Sequence, residues 1–197
     1  QNFENWYANT PGLKVVVPSN PYDAKGLLKA AIRDNDPVMF MESELMYGDV
    51  GEVPDGEYVL PIGVADVPRE GNDITIVSFG KMMKVAHGAA EELAKEGISC
   101  EVINLRSIRP IDYDCIIKSV KKTNRLVVVE EAWPLGSIST EIAFHVQKNA
   151  FDYLDAPVLR ITNEYVPVAY ARALVDASVP NVEKTVKAVK EAMYIQA

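Results

Sequence analysis

The alternation of short apolar runs with longer segments of helical period, from Asp73 onward, most constrains the fold of this chain. The predicted strands are Ile74–Ser78, Cys100–Leu105, Leu126–Glu130 and Val158–Thr162. The predicted helices are Met82–Glu96, Tyr113–Lys121, Ser139–Asn149 and Val182–Tyr194, where apolar residues recur at three- and four-residue spacing. Strands that are apolar on both faces are typical of parallel sheets covered by helices on both sides. The sequence therefore predicts an α/β fold with a mainly parallel sheet.

The first 42 residues predict a further strand–helix–strand unit. Leu13–Val17 and Pro37–Met41 are the strands, and Tyr22–Arg33 is the helix between them. The prolines and capping side chains of residues 18–21 end the first strand and favour the start of the helix. Because the chain begins at Gln1 and completes this unit at once, we expect it to be the end of a larger α/β domain.

A change of composition divides the chain into three parts. Residues 49–72 are rich in Gly, Pro and acidic side chains and show little helical period, so we interpret them as a connecting segment with short strands. Residues 1–48 then form the end of one domain, and residues 73–197 form a second.

The charge and the cysteines exclude several classes of partner and site. Asp and Glu total 28 against 20 Lys and Arg, a net charge of −8, whereas nucleic-acid binding relies on basic patches. We therefore expect no nucleic-acid partner. No apolar run reaches the ~18 residues that would predict a membrane span. Cys100 and Cys115 form no CxxC pair and are interpreted as reduced, buried thiols.

The common catalytic motifs do not occur in the sequence. The turn Phe79-Gly80-Lys81 follows a predicted strand but has neither the GxGxxG of a dinucleotide site nor the pattern of a P-loop. His87 and His145 lie within predicted helices without a neighbouring nucleophile motif, so catalysis by either is not favoured. The sequence predicts no catalytic residue in this chain.

Charged residues follow two of the predicted strands. Arg106 and Arg109 lie in the stretch CEVINLRSIRPID, and Glu130 and Glu131 end a later strand. The two carboxylates could form an acid/base pair or a metal site, or they could pair with the arginines. Arginine suits bidentate pairing with carboxylates, so we predict that all four residues are structural and that the arginines attach their loop to neighbouring strands or to a subunit interface.

Three stretches together resemble one protein family. They are WYANTPGLKVVVPSNPYDAKGLLKAAIRDNDPVMFMESELMYG, CEVINLRSIRPID and EEAWPLGS. The chain resembles, along its whole length, beta subunits of the decarboxylating component of the pyruvate dehydrogenase complex, thiamine-diphosphate enzymes of transketolase-like architecture. Related beta subunits act on branched-chain 2-oxo acids and acetoin. The segment Glu42–Gly48 is more similar to the pyruvate form.

The resemblance implies which parts of the family's site lie in this chain. Residues 1–48 would end the pyrimidine-binding domain, and residues 73–197 would form the transketolase C-terminal domain. The acidic residue that activates thiamine diphosphate and the active-site histidine would both precede Gln1, and the alpha subunit would hold the diphosphate and its magnesium ion. The chain by itself is therefore expected to be inactive.

The resemblance also implies a structural potassium ion at the end of the first predicted helix. The segment Ala30–Asp36 leaves carbonyl oxygens without intrahelical partners, which by itself would be an ordinary helix end. In the family, a matching segment holds potassium mostly through backbone oxygens, which assigns Ala31, Ile32, Asp34 and Asp36 as candidate metal ligands.

The implied partners are an alpha subunit, a second beta subunit and the dihydrolipoyl acyltransferase core, whose basic binding domain would dock near Tyr194 and Ile195. An alternative is that this portion is a non-catalytic assembly module that closes the heterotetramer and presents a surface to the core. A free-standing flavodoxin-like binding domain is disfavoured by the missing phosphate loop. The resemblance implies a bacterial cytoplasm, a mitochondrial matrix or a plastid as the location.

Overall fold

The computed structural model of the chain describes residues 2–195. Its helices are α1 (Glu4–Ala8), α2 (Pro21–Arg33), α3 (Met82–Lys95), α4 (Tyr113–Thr123), α5 (Ile138–Ala150), α6 (Arg172–Ser178) and α7 (Val182–Ala192). Its strands are β1 (Lys14–Val16), β2 (Val38–Phe40), β3 (Asp66–Arg69), β4 (Ile74–Ser78), β5 (Cys100–Asn104), β6 (Ser107–Arg109), β7 (Leu126–Val129) and β8 (Leu159–Ile161). Single 3₁₀ turns occur at Glu44–Met46 and Phe151–Tyr153.

The larger sheet has five strands in the order β3-β5-β4-β7-β8. Strand β3 is antiparallel to β5, and the other neighbours are parallel, so the predicted mainly parallel α/β class is confirmed. Every residue of β4, β5 and β7 is buried, as expected for strands covered on both faces. Alternate residues face opposite layers: Ile76 packs with α3 and α7, whereas Val77 packs with α4 and α5.

The smaller sheet has three strands in the order β2-β1-β6. Strands β1 and β2 are parallel, as a strand–helix–strand crossover requires, and β6 pairs antiparallel to β1. Val15 of β1 and Ile108 of β6 are buried in the same apolar cluster as α4 and α5. One continuous core therefore joins the first 41 residues to the larger sheet.

Strand β6 corrects an expectation. The stretch after Leu105 was expected to be a loop, but Ser107–Arg109 adds a strand to the free edge of β1. The N–H of Val17 also donates to the carbonyl of Arg106 at 2.8 Å. Without this pairing, the edge of β1 would leave buried backbone groups without partners, so the pairing has a clear physical cause.

Helices α1 and α6 were not predicted from the sequence. Helix α1 has only five residues, and no residue of α6 is buried, so neither shows an apolar period. The helices and strands that were predicted agree with the structure to within about two residues at each end, the usual uncertainty of element boundaries. Within residues 2–195, no helix is long and apolar enough to cross a membrane.

Candidate functional site

The buried carboxylate of Asp23 connects helix α2 to the turn between β5 and β6. Its side chain is fully buried and accepts hydrogen bonds from the Ser19 hydroxyl at 2.9 Å and the Asn104 amide at 2.8 Å. Arg106 Nε donates to Asp23 Oδ1 at 2.8 Å, and Arg106 Nη2 lies 3.2 Å from Asp66 Oδ2. Arg106 has a left-handed backbone, with φ of 57°. We call Asp23, Arg106, Ser19 and Asn104 the Asp23 cluster.

The alternative that the two arginines pair with Glu130 and Glu131 does not hold within the described residues. Arg106 faces α2, whereas the two carboxylates follow β7 and have other partners. Arg109 is exposed at the end of β6, and within residues 2–195 its guanidinium makes neither a hydrogen bond nor an ion pair. The two arginines therefore have different environments although only three positions separate them.

Glu130 and Glu131 extend from the carboxyl end of β7 in different directions. Glu130 is fully buried, and its oxygens accept from the N–H of Ser139 at 3.0 Å and from the Ser139 hydroxyl at 3.2 Å. Burial raises the pKa of the Glu130 carboxyl, and the serine hydrogen bonds oppose that rise. Glu131 pairs with Lys81, whose Nζ lies 2.7 Å from Oε2. The strand end thus carries one buried carboxylate and one ion pair.

A cavity of about 340 Å³ lies where the carboxyl ends of strands from both sheets meet. Val17 follows β1, Met41 follows β2 and Phe79 follows β4, and all three line it. Such strand ends are the usual position of ligand sites in open α/β sheets. The charged residues that line this strand-end cavity are Glu4, Glu42, Glu44, Glu131 and Lys81.

Glu4 in helix α1 is the most unusual of these residues. Its exposure is only 9%, and its Oε2 has no hydrogen-bond partner within residues 2–195. Burial raises the pKa of the Glu4 carboxyl to about 7; its own backbone N–H opposes the rise, and the charges of Glu130 and Glu131 add to it. A buried carboxylate without a partner is costly, so this position requires an explanation.

The end of α2 places the candidate potassium ligands together. Both side-chain oxygens of Asp34 lie 2.8 Å from Lys14 Nζ, and Asp36 Oδ2 lies 3.0 Å from it. Hydrogen bonding to Lys14 lowers the pKa of Asp34. The carbonyl of Ala31 accepts a long bond, 3.4 Å, from the N–H of Asp34. The oxygen atoms left to coordinate a metal ion are therefore main-chain carbonyl oxygens, including those of Ala31 and Ile32.

The remaining candidates are scattered. Tyr194 is 71% exposed and donates to the carbonyl of Asp155 at 3.3 Å, and Ile195 is also exposed. His145 stacks on Tyr113 with ring centroids 3.7 Å apart, which is a packing role. Among the described residues, no three His, Cys, Asp or Glu side chains are grouped to hold a metal ion.

Sequence reasoning missed the residues that the structure brings together. In the sequence, Asn20 followed by Asp23 is typical of a helix start with an acidic first turn, and the Asn20 side chain does accept from the N–H of Asp23. This pattern does not indicate that Asp23 is buried in a cluster. Glu4 lies in a stretch with no apolar period, and Lys81 was considered only as part of a glycine turn. No local signal marks any of the three.

The comparisons with known proteins identify the family of the chain. Residues 63–185 match the family "Transketolase, C-terminal domain", and residues 1–49 match "Transketolase, pyrimidine binding domain". The chain is 53% identical to "Pyruvate dehydrogenase E1 component subunit beta-2, mitochondrial" of Oryza sativa subsp. japonica, over 98% of this chain and 53% of that protein. It is also 53% identical to "Pyruvate dehydrogenase E1 component subunit beta" of Rhizobium meliloti, over 98% of this chain and 42% of the relative.

Two further similarities bear on function. The chain is 48% identical to "Acetoin:2,6-dichlorophenolindophenol oxidoreductase subunit beta" of Bacillus subtilis, over 97% of this chain and 56% of the relative. A solved structure described as "Split gene transketolase, inactive beta4 tetramer" superposes with a TM-score of 0.83 at 25% identity, covering 98% of this chain and 61% of the other. The chain thus spans about half the length of the curated relatives that it matches.

Proposed function

Because the chain belongs to the transketolase C-terminal domain family and its residues 1–49 match the pyrimidine-binding domain, we propose that it is part of a pyruvate dehydrogenase beta subunit. The complete enzyme would decarboxylate pyruvate oxidatively and transfer the acetyl group to lipoyl groups of an acyltransferase core. The division into residues 1–48, 49–72 and 73–197 is part of the proposal.

The observation that carries this proposal is identity above 50% to pyruvate dehydrogenase beta subunits over 98% of the chain. That identity extends through both domain matches and the segment between them. The acetoin-type relative is 48% identical, which favours pyruvate over acetoin only slightly. A branched-chain 2-oxo acid or acetoin as substrate is therefore the alternative.

The residues of this chain do not fit the diphosphate of thiamine diphosphate. The strand-end cavity is acidic, and the lysine that lines it is already paired with Glu131. Diphosphate binding requires cationic groups or a metal ion, so we propose that the alpha subunit holds the diphosphate and magnesium. The chain by itself should then be inactive.

The end of α2 fits a structural potassium ion better. We propose that main-chain oxygens of Ala31 and Ile32, with Asp34 and Asp36, contribute part of its coordination, and that the rest comes from elsewhere in the subunit. The Lys14 ammonium already pairs with both carboxylates, which leaves the carbonyls as the main donors. Potassium-dependent stabilisation of the complete subunit, absent with sodium, would support this site.

The partners of this proposal are an alpha subunit, a second beta subunit and the acyltransferase core. The net charge of −8 suits a basic binding domain of the core, and the exposed Tyr194 and Ile195 are the proposed contacts. Relatives named as mitochondrial and a bacterial relative are consistent with a mitochondrial matrix or a bacterial cytoplasm, and a plastid is the third alternative.

A non-catalytic assembly role is a second candidate. The solved relative, of which this chain covers 61%, is described as an inactive beta4 tetramer, so that transketolase chain assembles without activity. For this chain, the assembly role predicts that it binds an alpha subunit or the core's binding domain although it has no activity of its own.

The test compares the chain alone with the complete beta subunit that carries it, each mixed with the alpha subunit, thiamine diphosphate and magnesium. We expect the complete subunit to release carbon dioxide from pyruvate faster than from branched-chain 2-oxo acids or acetoin. The isolated chain should release none. Turnover by the isolated chain would overturn the assignment of the diphosphate site, and a preference for another substrate would overturn the assignment to pyruvate.

A further inference from the structure

The strand-end cavity holds more negative charge than its own residues balance. Glu4, Glu42, Glu44 and Glu131 line it, and Lys81 is the cation that faces it. Lys81 is already committed, since its Nζ lies 2.7 Å and 2.8 Å from the two side-chain oxygens of Glu131. The other carboxylates therefore face the cavity without a basic partner from its lining.

Glu4 is the observation that points to a ligand. The residue is only 9% exposed, and its Oε2 has no partner within residues 2–195. The environment raises the pKa of this carboxyl to about 7, mainly through burial and further through Glu130 and Glu131. A hydrogen-bonding cation would counter both causes of the raised pKa, because it would replace the hydration that burial removes and would oppose the charges of Glu130 and Glu131.

We propose that the strand-end cavity binds a monovalent organic cation, an ammonium or a guanidinium group, and that Glu4 Oε2 is its buried acceptor. A metal ion fits less well, because no three acidic, His or Cys side chains of the described residues are grouped as ligands. The cavity of about 340 Å³ greatly exceeds the ~10–15 Å³ that one water requires, so it has room for such a group.

The Asp23 cluster shows the same chemistry in its completed form. There the buried carboxylate of Asp23 accepts a hydrogen bond from Arg106 Nε at 2.8 Å and another from the neutral Asn104 amide. The strand-end cavity has the carboxylate without the cation. In the assembled enzyme, the cation is either a Lys or Arg side chain from the rest of the subunit or a neighbouring chain, or a free amine or guanidine.

The test is calorimetric titration of the protein with methylguanidinium and with methylammonium chloride at constant ionic strength. We expect saturable binding of at least one of them. Tetramethylammonium is the matched control because it carries the same charge but no N–H donor. Glu4→Gln, which keeps the shape and removes the charge, should weaken binding about ten-fold or more, the order expected for a hydrogen bond to a charged group.

Two more variants keep the result interpretable. Glu52→Gln removes an exposed charge outside the cavity lining and should bind as the wild type does. Glu44→Gln removes an exposed charge that lines the cavity, and it should weaken binding by a smaller factor, roughly two-fold, because the charge is screened. Glu44→Gln disturbs no buried contact, so it tests the site even if Glu4→Gln fails to fold.

The proposal is overturned if neither probe shows saturable binding, if tetramethylammonium binds equally well, or if the Glu4 and Glu44 variants bind unchanged. Water alone would then satisfy Glu4. Repeating the titration on the assembled enzyme, the one step that depends on the proposed function, separates the two sources. Retained binding identifies a free cation, and lost binding identifies a Lys or Arg side chain from elsewhere in the assembled enzyme. Failure of assembly itself would count against the proposed function and not against the site.

Discussion

Two buried carboxylates, Asp23 and Glu4, both lie in the first turn of a helix, and their environments are opposite. Asp23 is fully buried and receives hydrogen bonds from Arg106, Ser19 and Asn104. Glu4 is 9% exposed, with one oxygen unpartnered among the described residues and two other carboxylates nearby. The first arrangement stabilises the fold, whereas the second leaves an acceptor for something outside the chain.

Breaking the Asp23 cluster should have the largest effect on stability. Arg106→Met leaves the buried Asp23 without its cation, which typically costs about 3–5 kcal/mol of unfolding free energy. Arg and Met are both unbranched at Cβ, so the left-handed backbone of residue 106 disfavours them to a similar extent and the change reports on the ion pair. Urea denaturation measures it.

Arg109→Met is the matched control for that substitution. Its guanidinium is exposed and makes no ion pair within residues 2–195, so we expect a change below about 0.5 kcal/mol. Equal losses of unfolding free energy in the Arg106 and Arg109 variants would show that the Asp23 cluster does not stabilise the fold.

Glu4→Gln should have the next largest effect, and its sign depends on pH. In the folded chain the Glu4 carboxyl keeps its proton up to about pH 7, whereas in the unfolded chain it loses the proton near the ordinary pKa of 4.5. Between these values the folded state binds more protons, so the unfolding free energy decreases as pH rises. At about 1.4 kcal/mol per pKa unit, the wild type should lose at most roughly 3.5 kcal/mol across that range of about 2.5 units.

The variant cannot titrate at this position, so its stability should lack that decrease. Melting temperatures from pH 4.5 to 8 measure the difference between the two proteins. The variant should become progressively the more stable of the two as pH rises. Parallel pH profiles would mean that Glu4 has an ordinary carboxyl pKa and that the contrast with Asp23 is false.

The ion pairs at the end of α2 should have the smallest effect. Lys14→Met removes the cation from Asp34 and Asp36, whose side chains are 17% and 61% exposed, so solvent screens part of the interaction. Hydrogen bonding to Lys14 lowers the pKa of Asp34. The pair therefore adds to the unfolding free energy above the pKa that Asp34 has in the unfolded chain, and this addition is lost as pH falls through the pKa of the folded chain. The variant should melt slightly below the wild type at neutral pH and low salt.

The difference caused by Lys14→Met should disappear in about 0.5 M salt, where screening is nearly complete. A salt-independent loss comparable to that of Arg106→Met would instead place Lys14 among the buried pairs.

The sequence predicted the elements whose patterns are local and missed those that depend on distant contacts. Strand β4 was predicted with its observed bounds because its apolar run is unambiguous. Strand β6 was missed because it has three residues, two of them polar, and forms only by pairing with β1, about ninety positions earlier. Periodicity cannot show such a partner.

The same limit applies to the candidate site. The sequence placed Glu130 and Glu131 correctly at a strand end, but it could not show that Ser139 and Lys81 would be their partners. Asp23 and Arg106 are 83 positions apart, so their contact forms only when folding brings α2 to the turn between β5 and β6. Glu4 becomes unusual only when the folded chain buries it.

The most direct test of this contrast is the titration of the Glu4 side-chain carboxyl carbon by ¹³C nuclear magnetic resonance. The chain should show a midpoint near pH 7, which falls by at least about one unit when methylguanidinium is added to saturation, because a bound cation favours the ionised form. A midpoint near the ordinary ~4.3 of a glutamate, unmoved by the cation, would contradict the account.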